Sequence, residues 1–313
     1  AGGGRSITAH QSGLSATGSG PLQSPLLSAA AVTELRCVVE QCGNDLSWTI
    51  LQRGRRLLQL YGLRVADGVM DLVACQHQSM TSDLQLDTSS RLLSEVIRSA
   101  GQHQFHELRC LQTGDSPLLT PSALNQQGFH PRVVLQSWTS PESLSAGPDQ
   151  NIKHLTLEEA LTQSGRQRLA ALVADCLDDS RDLQSLSQPV PDDLLQSWER
   201  LDKPLLFVAC EQNQLCGLAV LTHPTAEDVI QAPVLQYLGV AGTCRRRGWG
   251  RRLLRQVCSA TTPDQTTTAG TVAWCDTRNT PAMNLYRSSG FVPGERQTIY
   301  VWSDATSGSA AES

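Results

Sequence analysis

The sequence has no long hydrophobic run, no excess of positive charge and no paired-cysteine motif, and each absence excludes a class of protein. None of its apolar runs approaches the roughly 20 residues that a helix needs to cross a bilayer, so no membrane span is expected. The net charge of −5 argues against a protein whose main partner is nucleic acid. The ten cysteines form no C-x-x-C pair, and no histidine lies near them at the spacing of a zinc site. They predict reduced thiols, no metal site and a cytoplasmic location.

The length of 313 residues allows two domains of ordinary size. Residues 141–150 mark a boundary, because they combine prolines and glycine with small polar residues as linkers do. The first 28 residues are rich in glycine, serine and proline and lack the pattern of a signal peptide. We therefore predict a disordered tail at 1–28, a domain at 29–140, a linker at 141–150, a second domain at 151–303 and a disordered tail at 304–313.

The most informative stretch is the hexapeptide at 245–250, which reads Arg-Arg-Arg-Gly-Trp-Gly. The apolar run at 234–240 before it predicts a β-strand, and the run at 251–258 after it has apolar residues at helical spacing. Two glycines one residue apart let the backbone turn sharply, so that successive N–H groups converge at the start of the helix. Converging N–H groups and flanking guanidinium groups form an anion site, and we expect its ligand to be a pyrophosphate.

Six arginines lie in or just after the hexapeptide, and they also fit two other interpretations. A solvated helix face is the usual role of such a charge run, and a nucleic-acid patch is the second alternative. The strand at 234–240 and the placement of Gly248 and Gly250 favour the phosphate turn over both. The six are Arg245, Arg246, Arg247, Arg251, Arg252 and Arg255.

A second motif follows the first at a suitable distance, after a strand-like run at 271–275. It contains, in order, Asn279, Ala282, Tyr286, Gly290 and Phe291. The two motifs in this order resemble the GCN5-related N-acetyltransferase (GNAT) family, whose acetyl-CoA loop reads Arg or Gln, two residues, Gly, one residue, Gly or Ala. Arg245, Gly248 and Gly250 fill those three positions.

The resemblance implies a fold and a co-substrate. The fold is α/β (α+β), with a mixed, mostly antiparallel central sheet flanked by helices, and the match is good over about residues 151–302. The co-substrate is acetyl-CoA, with its pantetheine arm on backbone groups of the strand and its pyrophosphate on the N–H groups of the turn. The coenzyme-binding residues that the resemblance implies are Leu238, Val240, Arg245, Arg246, Arg247, Gly248, Trp249, Gly250, Arg251 and Asn279.

Tyr286 is the catalytic residue that the resemblance implies, because a phenol beside the coenzyme sulfur can protonate the departing thiolate. The alternative is a tyrosine that only packs, as tyrosines on amphipathic helices usually do. A general base is harder to assign, since the strand at 234–240 carries no carboxylate. A chain of water molecules near Gln236, His223 or Asp276 is the expected route for the proton of the amine.

Apolar spacing predicts helices at 29–42 and 46–60 in the first half. The rest of that half predicts a strand or strand pair at 68–75, a helix at 88–100, a strand at 105–111, a helix at 121–127 and a strand at 132–138. The second domain predicts a strand at 152–156, helices at 157–176 and 191–200, and a hairpin of two strands at 204–210 and 215–221.

The two halves have related sequences, which indicates a weak internal repeat. Residues 127–129 match residues 289–291, since both end in Gly-Phe. The repeat places residues 84–89 opposite the phosphate turn, with an aspartate and no glycine, and it places Leu124 opposite Tyr286. We therefore predict two tandem domains, of which the first is a degenerate copy without the chemistry. Chance similarity of two α/β stretches is the alternative.

The sequence thus predicts an N-acetyltransferase that transfers the acetyl group of acetyl-CoA to a primary amine of a small molecule or a protein, by direct attack on the thioester. A non-catalytic acyl-CoA-binding or regulatory module is the alternative from another class. A nucleic-acid-binding protein that uses the arginine cluster is the third and is disfavoured by the acidic net charge. No metal, nucleic acid or membrane partner is expected.

Overall fold

A computed structural model of the protein describes most of the chain between its two ends. The described residues are 35–42, 45–52, 55–66, 68–76, 82–113, 119–141, 147–178, 180, 186, 190–224, 231–260 and 270–304. The tail predicted at 1–28 lies outside them, as do residues 305–313 of the tail predicted at the other end.

The first of two structural units contains the described parts of residues 35–134 together with residues 297–304. Its sheet begins with an antiparallel meander of four strands, and a fifth strand lies parallel to the fourth. Its core includes Trp48, Leu92 and Phe129, all fully buried. The elements are β1 (Leu35–Cys42), β2 (Asp45–Gln52), β3 (Arg55–Ala66), β4 (Val69–Gln76), α1 (Ser82–Gln102), β5 (Glu107–Thr113), α2 (Pro121–Gln126) and β6 (His130–Thr139), which continues into the second unit.

The helices predicted at 29–42 and 46–60 are wrong wherever the structure describes these residues, which form β1, β2 and β3. The buried residues Leu46, Trp48 and Ile50 alternate along β2, and alternation is the period of a strand. Adjacent apolar residues, such as the leucines at 57 and 58, add a spacing that resembles a helical one. Pairing of β2 with strands on both sides then decides in favour of a sheet.

The second unit spans residues 135–296. Its strands lie in the order β12-β6-β11-β10-β9-β8-β7, and β10 and β11 are parallel while the pairs from β10 to β7 and from β11 to β6 are antiparallel. The elements are β7 (Ile152–Thr156), α3 (Leu157–Ser164), α4 (Arg166–Leu177), α5 (Pro191–Glu199), β8 (Leu205–Glu211), β9 (Gln214–Thr222), β10 (Val234–Val240), α6 (Trp249–Ala260), β11 (Val272–Asp276), α7 (Thr280–Ser288) and β12 (Val292–Ser303).

Helices cover both faces of this sheet. A Cβ atom built on Gly239 would lie 2.8 Å from Cys176 of α4, whereas one built on Gly250 of α6 would lie 3.8 Å from Val240. Successive residues of a strand point to opposite faces, so α4 and α6 pack on opposite sides of β10. The predicted architecture, a mixed and mostly antiparallel sheet flanked by helices, is confirmed.

The single helix predicted at 157–176 is divided into α3 and α4. Gly165 lies between them with a φ of 75°, a conformation that interrupts a right-handed helix and that glycine adopts readily. The hairpin predicted around residues 211–214 is present, since β8 and β9 pair antiparallel across a turn whose central residues have φ of 48° and 66°.

The order strand, helix, strand, helix, strand occurs twice in the chain. Residues 69–139, here called the first repeat, contain β4, α1, β5, α2 and β6, and residues 234–303, the second repeat, contain β10, α6, β11, α7 and β12. In each repeat the first two strands are parallel. The internal repeat read from the sequence therefore corresponds to a repeated order of elements.

The last helix ends in the same way in both repeats. The N–H group of Phe129 donates to the carbonyl of Leu124 at 3.0 Å, and that of Phe291 donates to the carbonyl of Tyr286 at 3.0 Å. The glycine before each phenylalanine has a positive φ, 80° in the first repeat and 84° in the second. Leu124 thus occupies the position of Tyr286, as the internal repeat predicts.

The turn at 245–250 has no counterpart at the position predicted for it in the first repeat. Residues 84–89 lie inside α1, which begins at Ser82, so they form a helix and not a turn. In the second repeat α6 begins only at Trp249, directly after Gly248 with a φ of 83°. Because residues 84–89 contain no glycine, nothing at this point interrupts the helix.

Each repeat ends in a strand that pairs with a strand of the other repeat. The end of β6 lies antiparallel to β11, with Trp138 opposite Ala273. The end of β12 lies antiparallel to β5, with Tyr300 opposite Cys110. The chain therefore passes from the first unit to the second within β6 and returns to the first within β12.

Tyr300→Ala is expected to destabilise the first unit, although Tyr300 belongs to the second repeat. Its side chain is buried in the core of the first unit, and truncation of a buried aromatic side chain costs about 3 to 5 kcal/mol. Limited proteolysis with mass spectrometry should locate the new cleavage sites within 35–134. The control, Phe291→Ala, removes an aromatic ring from the core of the second unit and should move the sites to 135–296. Identical cleavage of both variants would contradict the strand exchange.

Candidate active site

Strands β10 and β11 pair over two residues and then separate. Val234 lies opposite Val272 and Leu235 lies opposite Ala273, and no further pair joins the two strands in the described chain. The pairing of β10 with β9 is irregular at the same level, where Gln236 forms a bulge. A bulge bends a strand and increases its twist, so it accounts for the divergence. The opening between β10 and β11 is called the fork below.

Leu238 and Val240, both predicted to bind the coenzyme arm, lie on β10 beyond the bulge. They remain paired with β9 on one side, opposite Ala219 and Gly217. On the side of β11 they have no neighbouring strand within the described residues. The carbonyl of Val240 accepts a hydrogen bond from Arg245 Nε at 3.2 Å. The other backbone groups on this edge are available to an extended ligand, which the predicted role requires.

The hexapeptide forms the predicted turn at the mouth of the fork. A short 3-10 turn (Gly242–Cys244) follows β10, and Arg246 and Gly248 then take positive φ angles of 63° and 83°. The first α-helical hydrogen bond runs from Arg252 N to Gly248 O at 3.1 Å. Within the described chain, the backbone N–H groups of residues 246–251 donate to no acceptor. Such a run of N–H groups at a helix N-terminus attracts an anion.

The two glycines of the turn are needed for different reasons. Gly248 has a positive φ, and a Cβ atom built on it would meet no atom within 4 Å, so its face of the turn is open. Gly250 lies inside α6, and its Cβ atom would come within 3.1 Å of Leu285 Cδ2 on α7. Gly248 therefore permits the backbone conformation, and Gly250 permits close packing of α6 against α7.

Arg245 is directed into the protein. Its guanidinium group donates to the carbonyls of Val240 at 3.2 Å, Cys176 at 3.1 Å and Asp178 at 2.8 Å. These bonds join the end of β10 to the C-terminus of α4, where carbonyl groups lack helical partners. The side chain of Arg245 thus supports the turn from behind, which is a different task from the phosphate contact predicted for it.

The other arginines of the turn are exposed and differ in their partners. Arg247 forms an ion pair with Glu211 at the β8–β9 hairpin. Arg251 Nη2 donates to Ser288 Oγ at 3.2 Å. Arg246 has no side-chain partner within the described chain, and its backbone has a positive φ of 63°. Arg246 is therefore the guanidinium group of the turn that remains available to a ligand.

Trp249 and Arg252 anchor the beginning of α6. The Trp249 ring is buried in the core, and the Arg252 guanidinium lies 4.0 Å from its centroid. Arg252 also donates to both carboxylate oxygens of Asp149, at 2.6 and 2.7 Å. These hydrogen bonds hold the pKa of Asp149 below its usual value. Asp149 carries no motif and lies in the predicted linker, so the sequence offers no signal for this contact.

Two short-range contacts shape the start of α7. Asn279 caps the helix, since its Oδ1 accepts from the N–H group of Ala282 at 3.1 Å. The fully buried Asp276 accepts from Arg278, from the backbone N–H at 2.9 Å and from Nη2 at 2.5 Å. Asn279 therefore caps α7, a structural role that differs from the coenzyme contact predicted for it. Asp276 is committed to its ion pair and fits poorly as a proton acceptor.

Tyr286 lies on the buried side of α7, with 5 % of its side chain exposed. Its ring centroid lies 5.9 Å from that of Trp138 with the rings 26° from parallel, and 5.4 Å from that of Phe291 at 46°. The sequence predicts Tyr286 and Phe291 as motif residues but gives no sign of Trp138, which comes from β6 of the first repeat. The ring of Tyr286 is thus held between two aromatic neighbours.

Two of the residues predicted to guide the proton of the amine, Gln236 and His223, lie near the bulge of β10. Gln236 Nε2 donates to Thr222 Oγ1 at 2.8 Å within the bulge. His223 is exposed at the end of β9, and partial burial together with the charge of His154 lowers its pKa. A neutral imidazole near pH 7 can accept a proton. Gln236 and His223 flank the end of β9 that lies beside the bulge.

A separate cavity of about 580 Å³ lies on α4 and α5, away from the turn. Its Arg166 precedes Cys176 by ten residues on the same helix, a distance of about 15 Å at the helical rise. Arg166 already forms ion pairs with Asp192 and Glu199. Because the charges of Arg166, Asp192 and Glu199 are paired with one another, this cavity offers no anion-binding group like those of the turn.

The described residues contain no cluster of three or more side chains that would suit a metal ion. The same part of the chain has no helix with the length and apolar character needed to cross a membrane. The cysteines whose side chains are described are free thiols. Burial raises the pKa of Cys176 to about 12, so this thiol beneath the turn is protonated at neutral pH.

Comparison with known protein families identifies the unit that contains the fork. Residues 202–293 match the acetyltransferase (GNAT) domain family. This range runs from before β8 to the start of β12, and it includes both sequence motifs. The match lies within the second unit, and it confirms the family predicted from the motifs. No curated protein matches the sequence.

Solved structures share the fold at low identity. A GCN5-related N-acetyltransferase from Sphaerobacter thermophilus is 14% identical, with a TM-score of 0.59 over 82% of this chain and 80% of its own. A tandem GNAT protein from the clavulanic acid biosynthesis pathway is 13% identical, with a TM-score of 0.57 over 83% and 82%. A GNAT-family acetyltransferase from Colwellia psychrerythraea is 12% identical, with 0.55 over 83% and 85%. At these identities the likeness shows the GNAT fold alone.

Proposed function

We propose that the protein is an acetyl-CoA-dependent N-acetyltransferase whose acceptor is a primary amine of a small molecule or a protein. One observation carries the proposal. The N–H groups of residues 246–251 donate to nothing in the described chain, and they lie at the mouth of a fork whose β10 edge is also unpaired. An anion site beside an open strand edge suits a ligand with a phosphate group at one end and an amide-containing arm.

The residues of the fork divide the binding of acetyl-CoA among them. The N–H groups of the turn and the side chain of Arg246 bind the pyrophosphate, and the free backbone groups of Leu238 and Val240 bind the pantetheine arm. Trp249 and Arg245 keep the turn in place. Acetyl-CoA supplies the reactive thioester when it is bound, and the task of the chain is to orient it beside the amine.

Two proton transfers accompany the reaction. The amine has a pKa near 10 and must lose a proton before it attacks, so turnover is expected to rise with pH as the neutral amine becomes more abundant. No carboxylate on β10 can take this proton. We assign it to water near Gln236 and His223. The Tyr286 hydroxyl is assigned as the donor that protonates the departing thiolate.

The first repeat is proposed to be a degenerate copy that binds no coenzyme. It keeps the order of elements and the turn after its last helix, but α1 occupies the position of the phosphate turn and Leu124 that of Tyr286. Residues 29–140 and 151–303 therefore remain our proposed domains by function, although the structural units exchange strands at their ends.

A non-catalytic acyl-CoA-binding module is the second candidate. The observation in its favour is the burial of Tyr286 between Trp138 and Phe291, which a purely structural tyrosine would also show. Nucleic-acid binding is less well supported, because Arg245, Arg247 and the other paired arginines are engaged within the chain.

Gly248→Asp and Gly248→Asn test the anion site. Both residues tolerate a positive φ, they have the same shape, and they differ by one charge. If the turn binds pyrophosphate, the aspartate variant should bind acetyl-CoA about 10-fold or more weakly than the asparagine variant. Titration calorimetry measures the two affinities, and thermal unfolding should not separate the two proteins. Equal affinities would remove the turn from the site.

Tyr286→Phe tests the assigned proton donor. Turnover is measured as release of free thiol from acetyl-CoA with a panel of amines, of which the best acceptor of the wild-type protein is then used. The variant should lose about 10² to 10⁴-fold in kcat, with little change in coenzyme affinity, because the hydroxyl acts while the thiolate leaves. Tyr300→Phe is the matched control, a buried tyrosine in the other unit. Normal turnover of Tyr286→Phe would leave Tyr286 with a packing role only.

A further inference from the structure

Trp138 connects the first repeat to the chemistry assigned to the second. It lies on β6, the last strand of the first repeat, and its backbone pairs with Ala273 of β11, one of the two strands of the fork. Its side chain is 2 % exposed and belongs to the same core as Tyr286. The residue therefore stands beside the fork, although it is distant in sequence from both motifs.

Trp138 contacts two successive residues of α7. Its ring lies against that of Tyr286, with the centroids 5.9 Å apart, and the Arg287 guanidinium carbon lies 5.8 Å from the Trp138 centroid. Phe291 bounds the tyrosine ring at a second angle. Two flat neighbours that meet a ring at different angles restrict its rotation more than one neighbour does. A rotation that keeps the contact with one neighbour disturbs the contact with the other.

We propose that Trp138 is a positioning residue that orients Tyr286 for proton transfer, so that the strand ending the first repeat contributes to turnover in the second. This inference rests on the proposed function. Proton transfer to a departing group requires the donor to be held within hydrogen-bond reach of one point, and a small rotation of the ring displaces its hydroxyl most. Trp138 acts on the ring and does not touch the substrate.

The indole nitrogen of Trp138 supports a role beyond filling space. Its N–H group is buried and finds no acceptor within the described chain. A buried N–H donor without an acceptor is unfavourable, and a phenylalanine at this position of β6 would bring no such donor into the core. The wider indole ring, which reaches both Tyr286 and Arg287, is therefore the property that the position uses.

A double-mutant cycle tests this inference. Trp138→Leu and Tyr286→Phe are made singly and together, and kcat and the acetyl-CoA affinity of each are measured with the best amine acceptor. In the wild-type background Trp138→Leu should lower kcat about 10-fold or more, because the phenol loses its fixed orientation. In the Tyr286→Phe background it should change kcat less than about 2-fold, since the hydroxyl that it positions is absent. Coenzyme affinity should stay nearly constant.

Two further variants separate positioning from general loosening of the core. Trp138→Phe keeps an aromatic plane against Tyr286 but lacks the width that reaches Arg287, so its kcat should lie between that of Trp138→Leu and that of the wild type. It remains informative if the leucine variant fails to fold. Leu169→Ala enlarges the same core from α4 and should lower thermal stability without lowering kcat, because α4 packs mainly against α3, α5, β9 and β10.

The outcomes distinguish failure of the inference from failure of the proposed function. If Tyr286→Phe lowers kcat while Trp138→Leu lowers it by the same factor in both backgrounds, Trp138 only packs, and the inference is overturned with the acetyltransferase intact. If Tyr286→Phe leaves kcat unchanged in a protein that releases thiol, the proton donor was misassigned and the inference falls with it. If no amine supports thiol release, the proposed function itself fails.

Discussion

The separation of β10 from β11 after two paired residues is the constraint on which the site depends. Continuous pairing would satisfy the backbone groups of β10 within the sheet and would leave no place for a ligand arm. The bulge at Gln236 redirects β10, the turn at 245–250 follows where the strand ends, and α6 begins within that turn, at Trp249. One local irregularity thus leaves the edge of β10 and the N–H groups of residues 246–251 without backbone partners in the described chain.

Features with a local cause could be predicted from the sequence. The turn at 245–250 rests on Gly248, whose positive φ few other residues adopt, and the end of α7 rests on a Gly-Phe pair that recurs after α2. Strands β4 to β11 also follow from the sequence, because their apolar runs are bounded by turn residues. The start of α6 and the position of Tyr286 on α7 follow from the same local signals.

Features set by distant partners could not be predicted. The local pattern predicts helices where β1 to β3 lie, because the strand pairing that decides the structure is invisible in that pattern. The motif predicts a coenzyme contact for Arg245 and gives no sign of the carbonyls at the C-terminus of α4 that accept from its side chain. The contacts of Trp138 and of Asp149 join segments more than a hundred residues apart in the sequence. The exchange of strands between the repeats also depends on pairing between distant segments. It gives the first repeat a structural role even without an anion turn, because its last strand, β6, pairs with β11 of the second repeat.

The number of acetyl-CoA molecules that bind to one chain tests the central claim most directly, because the claim places a working anion site in the second repeat alone. Titration calorimetry of the whole protein with acetyl-CoA measures this number together with the affinity. One molecule per chain is the predicted result. Two molecules per chain would show that the first repeat also binds coenzyme, and no binding at concentrations well above those usual for a co-substrate would contradict the fork as a coenzyme site.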